Sequence, residues 1–268
     1  MTANDLIQYL QEAWCDQSYL PPVPGDAALR LMELGHTPQT PETLLKAMRR
    51  DPLLTLHAWG HAARTYSAGD PPQDLPGVAS RLGSYGAAEV TQRLVNNVGQ
   101  VSDDSYAKAM EAVRVHSLRV ARLSRRIAET AAHNAHRAYA AGLLSDVGLL
   151  ACLAAMSEAP EPPDLAQAWN EVMELHADTT RFVLQCVGLP EKLAWDLADH
   201  HGIDGSGAES DIGAVVLLAE RAAADSETTA LPFSQRRSLY VPDDTQVQRA
   251  RNRLGLDEAR WRGLVEAA

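Results

Sequence analysis

From Ser105 to Ala224 the chain repeats one device. Apolar residues recur every three or four positions, as on a helix that buries one face, and each stripe is interrupted by an ionisable residue. Over roughly 105–131 the stripe is Val113, His116, Val120, Leu123 and Ile127, with Arg114, Arg119, Arg122, Arg125 and Arg126 largely away from it, as a solvated face. Over roughly 136–156, Leu143, Val147 and Leu150 face inward, and the run AGLLSDVGLL holds Ser145 and Asp146 near its centre. Roughly 164–187 sets Trp169, Val172, His176, Thr179 and Val183 at core spacing. The helix begun by LPEKL brings Leu193, Leu197, His200 and His201 nearly onto one face, and a fifth, about 211–224, spaces Ile212, Val216 and Glu220 four apart. A carboxylate in apolar surroundings costs several kcal/mol unless paired. Asp146 is therefore expected to face inward with an imidazole, His116 or His200, as its partner.

Strand-type alternation of Val, Ile, Thr and Tyr is scarce, aromatics are 5% of the chain, and Ala, Leu, Glu and Arg are plentiful. That composition predicts an all-α protein packed through small and aliphatic side chains. A length of 268 residues with 46% hydrophobic content suits two units. The boundary is placed near 100–105, giving a small N-terminal helical subdomain over 1–104 and a helical bundle with a C-terminal helical tail over 105–268.

In the first unit, Leu6, Leu10, Ala13 and Trp14 mark an amphipathic opening helix that LPPVP at 20–24 stops. A helix over about 26–34 follows. Thr40-Pro41-Glu42 and Asp51-Pro52 are helix starts, each an oxygen-bearing cap followed by Pro, for helices over about 41–50 and 52–65. SAGDPPQDLPG at 67–77 reads as a loop, and two short helices broken near Gly83 to Gly86 complete the unit. The tail is polar to Asp244 and then gives two short helices, the last from about Asp257.

A formal net charge of −11 argues against nucleic acid and anionic membrane as partners, because both require cationic surfaces. No apolar stretch is seen to approach the roughly 20 residues that cross a bilayer, and the N-terminus lacks a basic-then-apolar leader. Cys15, Cys152 and Cys186 are odd in number and far apart, indicating neither a disulfide framework nor a zinc knuckle. A cytoplasmic protein is the expectation.

One histidine in an apolar stripe is ordinarily a core residue bonded to a backbone carbonyl. Six ionisable positions on successive helices, His116, Asp146, His176, His200, His201 and Glu220, are harder to explain one at a time. Imidazole and carboxylate suit a divalent metal, and a bundle can converge them on one point.

His116, AGLLSDVG, HADTTRFVLQCVGLP and the paired His200-His201 together resemble the HD superfamily of metal-dependent phosphohydrolases. There the AGLL segment continues with His-Asp, both metal ligands; here Ser145 stands for the His and Asp146 remains. LPPVP, TPETLLKAMRRDPLLTLHAWGHAARTYS and VASRLGSYGAAEV narrow the likeness, over about 18–225, to the HDOD domain, a regulatory branch of that superfamily. The chain departs from it at Ala63-Arg64, where Asn-Ser is usual. HHGIDGSG also resembles HD-GYP cyclic-dinucleotide phosphodiesterases, though DGSG is equally a good turn and the following Tyr-Pro is missing. The fifth-helix carboxylate, Asp in catalytic relatives, is Glu220.

The resemblance implies an N-terminal helical subdomain packed on an HD-like bundle, with a degenerate metal motif. Ser145 is a poor donor to a transition metal, and Glu220 displaces its carboxylate by one methylene. Both changes point to a non-catalytic, bacterial signal-transduction module that binds a regulatory protein partner or a small effector, with no cofactor. The alternative is a residual phosphohydrolase retaining one divalent metal at His116, Asp146, His176, His200 and Glu220.

Overall fold

The computed structural model describes residues 8–10, 12–14, 21–22, 25–65, 70–97, 99, 101, 103–189, 191–200, 208–226 and 241–266. Among them the ordered structure is helical throughout, with no strand, as an all-α chain requires. Residues 8–10 and 12–14 are helical and bury Leu10 and Trp14; Leu6 lies outside the described residues.

Local chemistry sets the helix starts. α1 spans Gly25–Gly35 and α2 spans Pro41–Met48, which opens on a reciprocal cap: Thr40 accepts from the Thr43 N–H, and the Thr43 hydroxyl accepts from the Thr40 N–H. α3, Pro52–Thr65, starts where the Asp51 carboxylate accepts from the Leu54 N–H at 2.9 Å. α4, Leu75–Asn97, begins inside the stretch expected to be a loop and kinks at Gly83, whose φ of 58° suits a residue without a Cβ.

α5, Asp104–Thr130, is capped by Asp103. The single helix expected over 136–156 is two: α6, Ala135–Leu144, and α7, Val147–Ser157, with Ser145 and Asp146 at the break. The reason lies in α8, Leu165–Cys186, which runs against α7. A Cβ on Gly148 would sit 2.2 Å from the Thr180 nitrogen and 2.4 Å from the His176 carbonyl oxygen, so backbone meets backbone there. The Thr180 hydroxyl holds the break, donating to the Ser145 carbonyl at 2.9 Å and accepting from the Gly148 N–H at 3.0 Å. α9 is Glu191–Ala198, α10 is Asp211–Ser226, and α11, Asp244–Leu254, and α12, Glu258–Glu266, close the chain.

Every residue of α7 from Val147 to Met156 is buried, so this helix forms the middle of the bundle. Residues Ala135–Ser157 do reach membrane-spanning length and hydropathy, contrary to the expectation from sequence, but the apolar window is 94% buried inside the protein. One continuous hydrophobic core runs from Leu10 through α7 to Leu264. Cys152 is a free, buried thiol, whereas Cys186 is disulfide-bonded to a partner outside the described residues. One crosslink thus exists where cysteine spacing suggested none, and the cysteine count by itself does not argue for a reducing compartment.

Candidate functional site

The helical stripes deliver their ionisable residues to one place. His116 from α5, Asp146 from the α6–α7 break, His176 from α8, His200 just past α9 and Glu220 from α10 are between 1% and 5% exposed. His201 lies outside the described residues, as does the turn GIDGSG after it.

The five groups form two trios that share Asp146. In one, His116, Asp146 and Glu220 bring a ligand atom each within 4.8 Å of the others; in the second, Asp146, His176 and His200 do the same. The trios differ in tightness. His116 Nε2 is 2.8 Å from Glu220 Oε2, a full hydrogen bond, and 3.8 Å from Asp146 Oδ2. Across Asp146 the separations are longer: His176 Nε2 is 4.0 Å from Oδ1, and the His176 and His200 rings lie 6.1 Å apart, tilted by 57°. Asp146 therefore faces inward as expected, but the acid that bonds His116 is Glu220.

The protonation of the second trio follows from its surroundings. The His176 Nδ1–H donates to the Met173 carbonyl, which can only accept, so the neutral ring turns the Nε2 lone pair towards Asp146. Burial lowers the His176 pKa, and it pushes His200 down to about 3, with the neighbouring His176 and His116 charges acting in the same direction. Burial thus favours the neutral form of both imidazoles beside the Asp146 carboxylate.

This donor set fits a divalent cation. Imidazole nitrogens and carboxylate oxygens are the ordinary ligands of zinc, iron and manganese, and the His176 tautomer is fixed by its bond to Met173, as ligating histidines usually require. Glu220 Oε1 is buried and has no hydrogen-bond partner among the described residues, a sign of an unmet polar demand. Ligand atoms around one cation stand about 3–3.5 Å apart, so the second trio would have to contract slightly. Ser145 adds nothing: its hydroxyl donates back to the Gly142 carbonyl at 3.2 Å.

Three positions matter that the stripes did not single out. Thr180 and Gly148 hold Asp146 in place through the contacts at the helix break. Arg64, at the point where the chain departs from the HDOD pattern, donates from Nη1 to the Val187 carbonyl at 2.8 Å, tying α3 to the end of α8. The serine and the glycine flanking Asp146 were the visible signal for the first two; nothing local to Arg64 pointed to Val187.

Comparisons with known proteins agree with this architecture. The family model for the HDOD domain matches residues 81–200. The MmoQ response regulator from Methylococcus capsulatus str. Bath superposes with a TM-score of 0.63 at 19% identity, covering 91% of this chain and 97% of that one. A fragment of the same regulator gives 0.60 at 18% identity, with 88% and 92% covered. An HDOD domain protein of unknown function from Geobacter sulfurreducens superposes more loosely, at 0.39 with 20% identity, over 99% and 98%. None of the curated proteins compared matches the chain. With His116, Asp146, His176 and His200 all within or at the edge of the matched segment, the chain carries an HDOD domain, at residues 81–200.

Proposed function

We propose that the protein is a regulatory HDOD module that works by binding a partner protein or a small effector rather than by hydrolysing a phosphoester. The observation that carries this reading is the enclosure of a converged but incomplete site. All five ionisable groups are at most 5% exposed, and the position that would bear a further imidazole in hydrolytic relatives is a serine bonded to its own helix. A phosphohydrolase needs water and a phosphoryl group at its metal, held to within a fraction of an ångström. The buried trios support a structural or sensing role better than a turnover site.

A second reading, a residual metal-dependent phosphohydrolase, is favoured by one specific feature: Asp146 lies between both trios, where a bridging carboxylate would. His116, Asp146, His176, His200 and Glu220 would hold the cation, and the cation would supply an activated water. Elemental analysis of protein purified without chelator, together with hydrolysis assays on a cyclic dinucleotide and on a simple phosphodiester with added manganese, separates the two. The regulatory reading expects no turnover, with or without bound metal. Steady hydrolysis that disappears in Asp146→Asn overturns it.

A further inference from the structure

Many arginines among the described residues have an acid beside them. Arg114 and Arg30 share Glu111, Arg137 meets Asp196, Arg181 meets Asp178, Arg221 meets Asp225 and Asp244, and Arg251 meets Glu258. One cluster breaks the pattern. Arg49 and Arg50, after α2, stand with Arg122 and Arg125 of α5 around Tyr139 of α6, whose hydroxyl donates to the Arg49 carbonyl at 2.6 Å. Arg49, Arg125, His136 and Tyr139 line a shallow dimple there with Leu75 and Pro76. Arg125 is paired with Glu129, but Arg49, Arg50 and Arg122 form no ion pair among the described residues. Arg50, Arg122, Arg125 and His136 are exposed and Arg49 is half-buried.

The chain has 35 acidic residues against 24 basic ones, yet among the described residues only Glu129 forms an ion pair with a member of this cluster. Arg50 also belongs to a neighbouring groove of about 340 Å³, whose other walls include Leu34, Ala47 and Leu54, the cations Arg30 and Lys46, and the acids Glu33 and Asp51. The surface therefore runs from a slot with aliphatic walls and both charge signs at its rim to a patch of guanidinium groups in which Arg49, Arg50 and Arg122 form no ion pair among the described residues.

We propose that this face is a docking site for an acidic segment of a partner protein, with an aliphatic side chain in the groove and carboxylates on Arg49, Arg50 and Arg122. Guanidinium groups bind carboxylates in paired hydrogen bonds, and charge complementarity of this kind sets partner choice and on-rate. The net charge of −11 repels a long polyanion beyond the patch, whereas a short acidic peptide feels only the local field within a Debye length of about 8 Å. The inference rests on the regulatory reading above and names its kind of partner.

The test uses the full chain and a fluorescein-labelled synthetic peptide of alternating Glu and Leu, followed by anisotropy at physiological salt. Arg50→Glu/Arg122→Glu should weaken binding at least tenfold, Arg50→Gln/Arg122→Gln by a smaller factor, and Arg260→Glu, away from the patch, not at all. Thermal melts matched to the native protein establish that the variants fold. The proposal is overturned by a native protein that ignores the peptide, by reversal variants that bind it equally well, or by displacement of the peptide by millimolar inorganic phosphate or a short oligonucleotide. Peptide binding is read without reference to hydrolysis, so turnover would sink the regulatory reading alone, and lack of peptide binding would sink this one alone.

Discussion

The two sides of Asp146 use the same residue types and reach different states. On the His116 side an imidazole and the Glu220 carboxylate are locked at 2.8 Å, so a buried donor and acceptor satisfy each other. On the other side, His176 Nε2 stands 4.0 Å from Asp146 Oδ1 and its ring 6.1 Å from that of His200, and burial lowers the pKa of both rings. The difference teaches that one half of the constellation is already a finished structural pair. In the other, backbone packing at Gly148 and Thr180 sets the spacing between the imidazole of His176 and the carboxylate.

That contrast can be broken most forcefully at its tight side. Glu220→Ala removes the acid bonded to His116 and should cost about 3–5 kcal/mol in denaturant unfolding, as loss of one member of a buried pair does. A cost below about 1 kcal/mol would mean that the 2.8 Å pair contributes little. Gly148→Ala attacks the open side, because its Cβ would overlap the Thr180 nitrogen and the His176 carbonyl. About 3 kcal/mol of overpacking is expected, and side-chain NMR should show the His176 and His200 signals moving more than that of His116. Uniform movement of all three would erase the distinction between the halves.

Asp146→Asn keeps the shape and removes the shared charge. A loss of about 2 kcal/mol is expected, with altered titration of the surrounding histidines; native melting and unchanged titration would show that the aspartate is not paired. Acid probes the same half without a substitution. His200 is depressed from 6.5 to about 3, and His176 is lowered as well. Below pH 6.5 the unfolded chain takes up protons on these rings that the folded chain refuses, so stability is full above that value and falls as the pH drops towards 3. Urea midpoints should decline steadily between pH 7 and pH 4, and Glu220→Ala should retain the part of that decline that belongs to His200 and His176.

Helical spacing alone made most of this legible. His116, His176, His200 and Glu220 each stood in an apolar stripe, and all four are buried in the bundle. Spacing along one helix says which side a residue faces, but not how far helices lie apart or how they are rotated, so it could not choose Glu220 over Asp146 as the neighbour of His116. The break between α6 and α7 was missed for a related reason. AGLLSDVGLL is continuous in its apolar period, and only the approach of α8, from elsewhere in the chain, demands a glycine at 148 and a non-helical Asp146. Arg122 and Arg125 read as part of a solvated face because Arg49 and Arg50, which join them around Tyr139, come from a helix end some seventy residues earlier.

Thr180 has a role wider than two hydrogen bonds. It belongs to the helix that carries His176, yet it grips both flanks of the segment that carries Asp146. The spacing between that imidazole and that carboxylate is thus imposed by a clasp one turn away, without either group touching the other. A ligand entering between them would find its two walls already registered, and would not have to supply the force that aligns them.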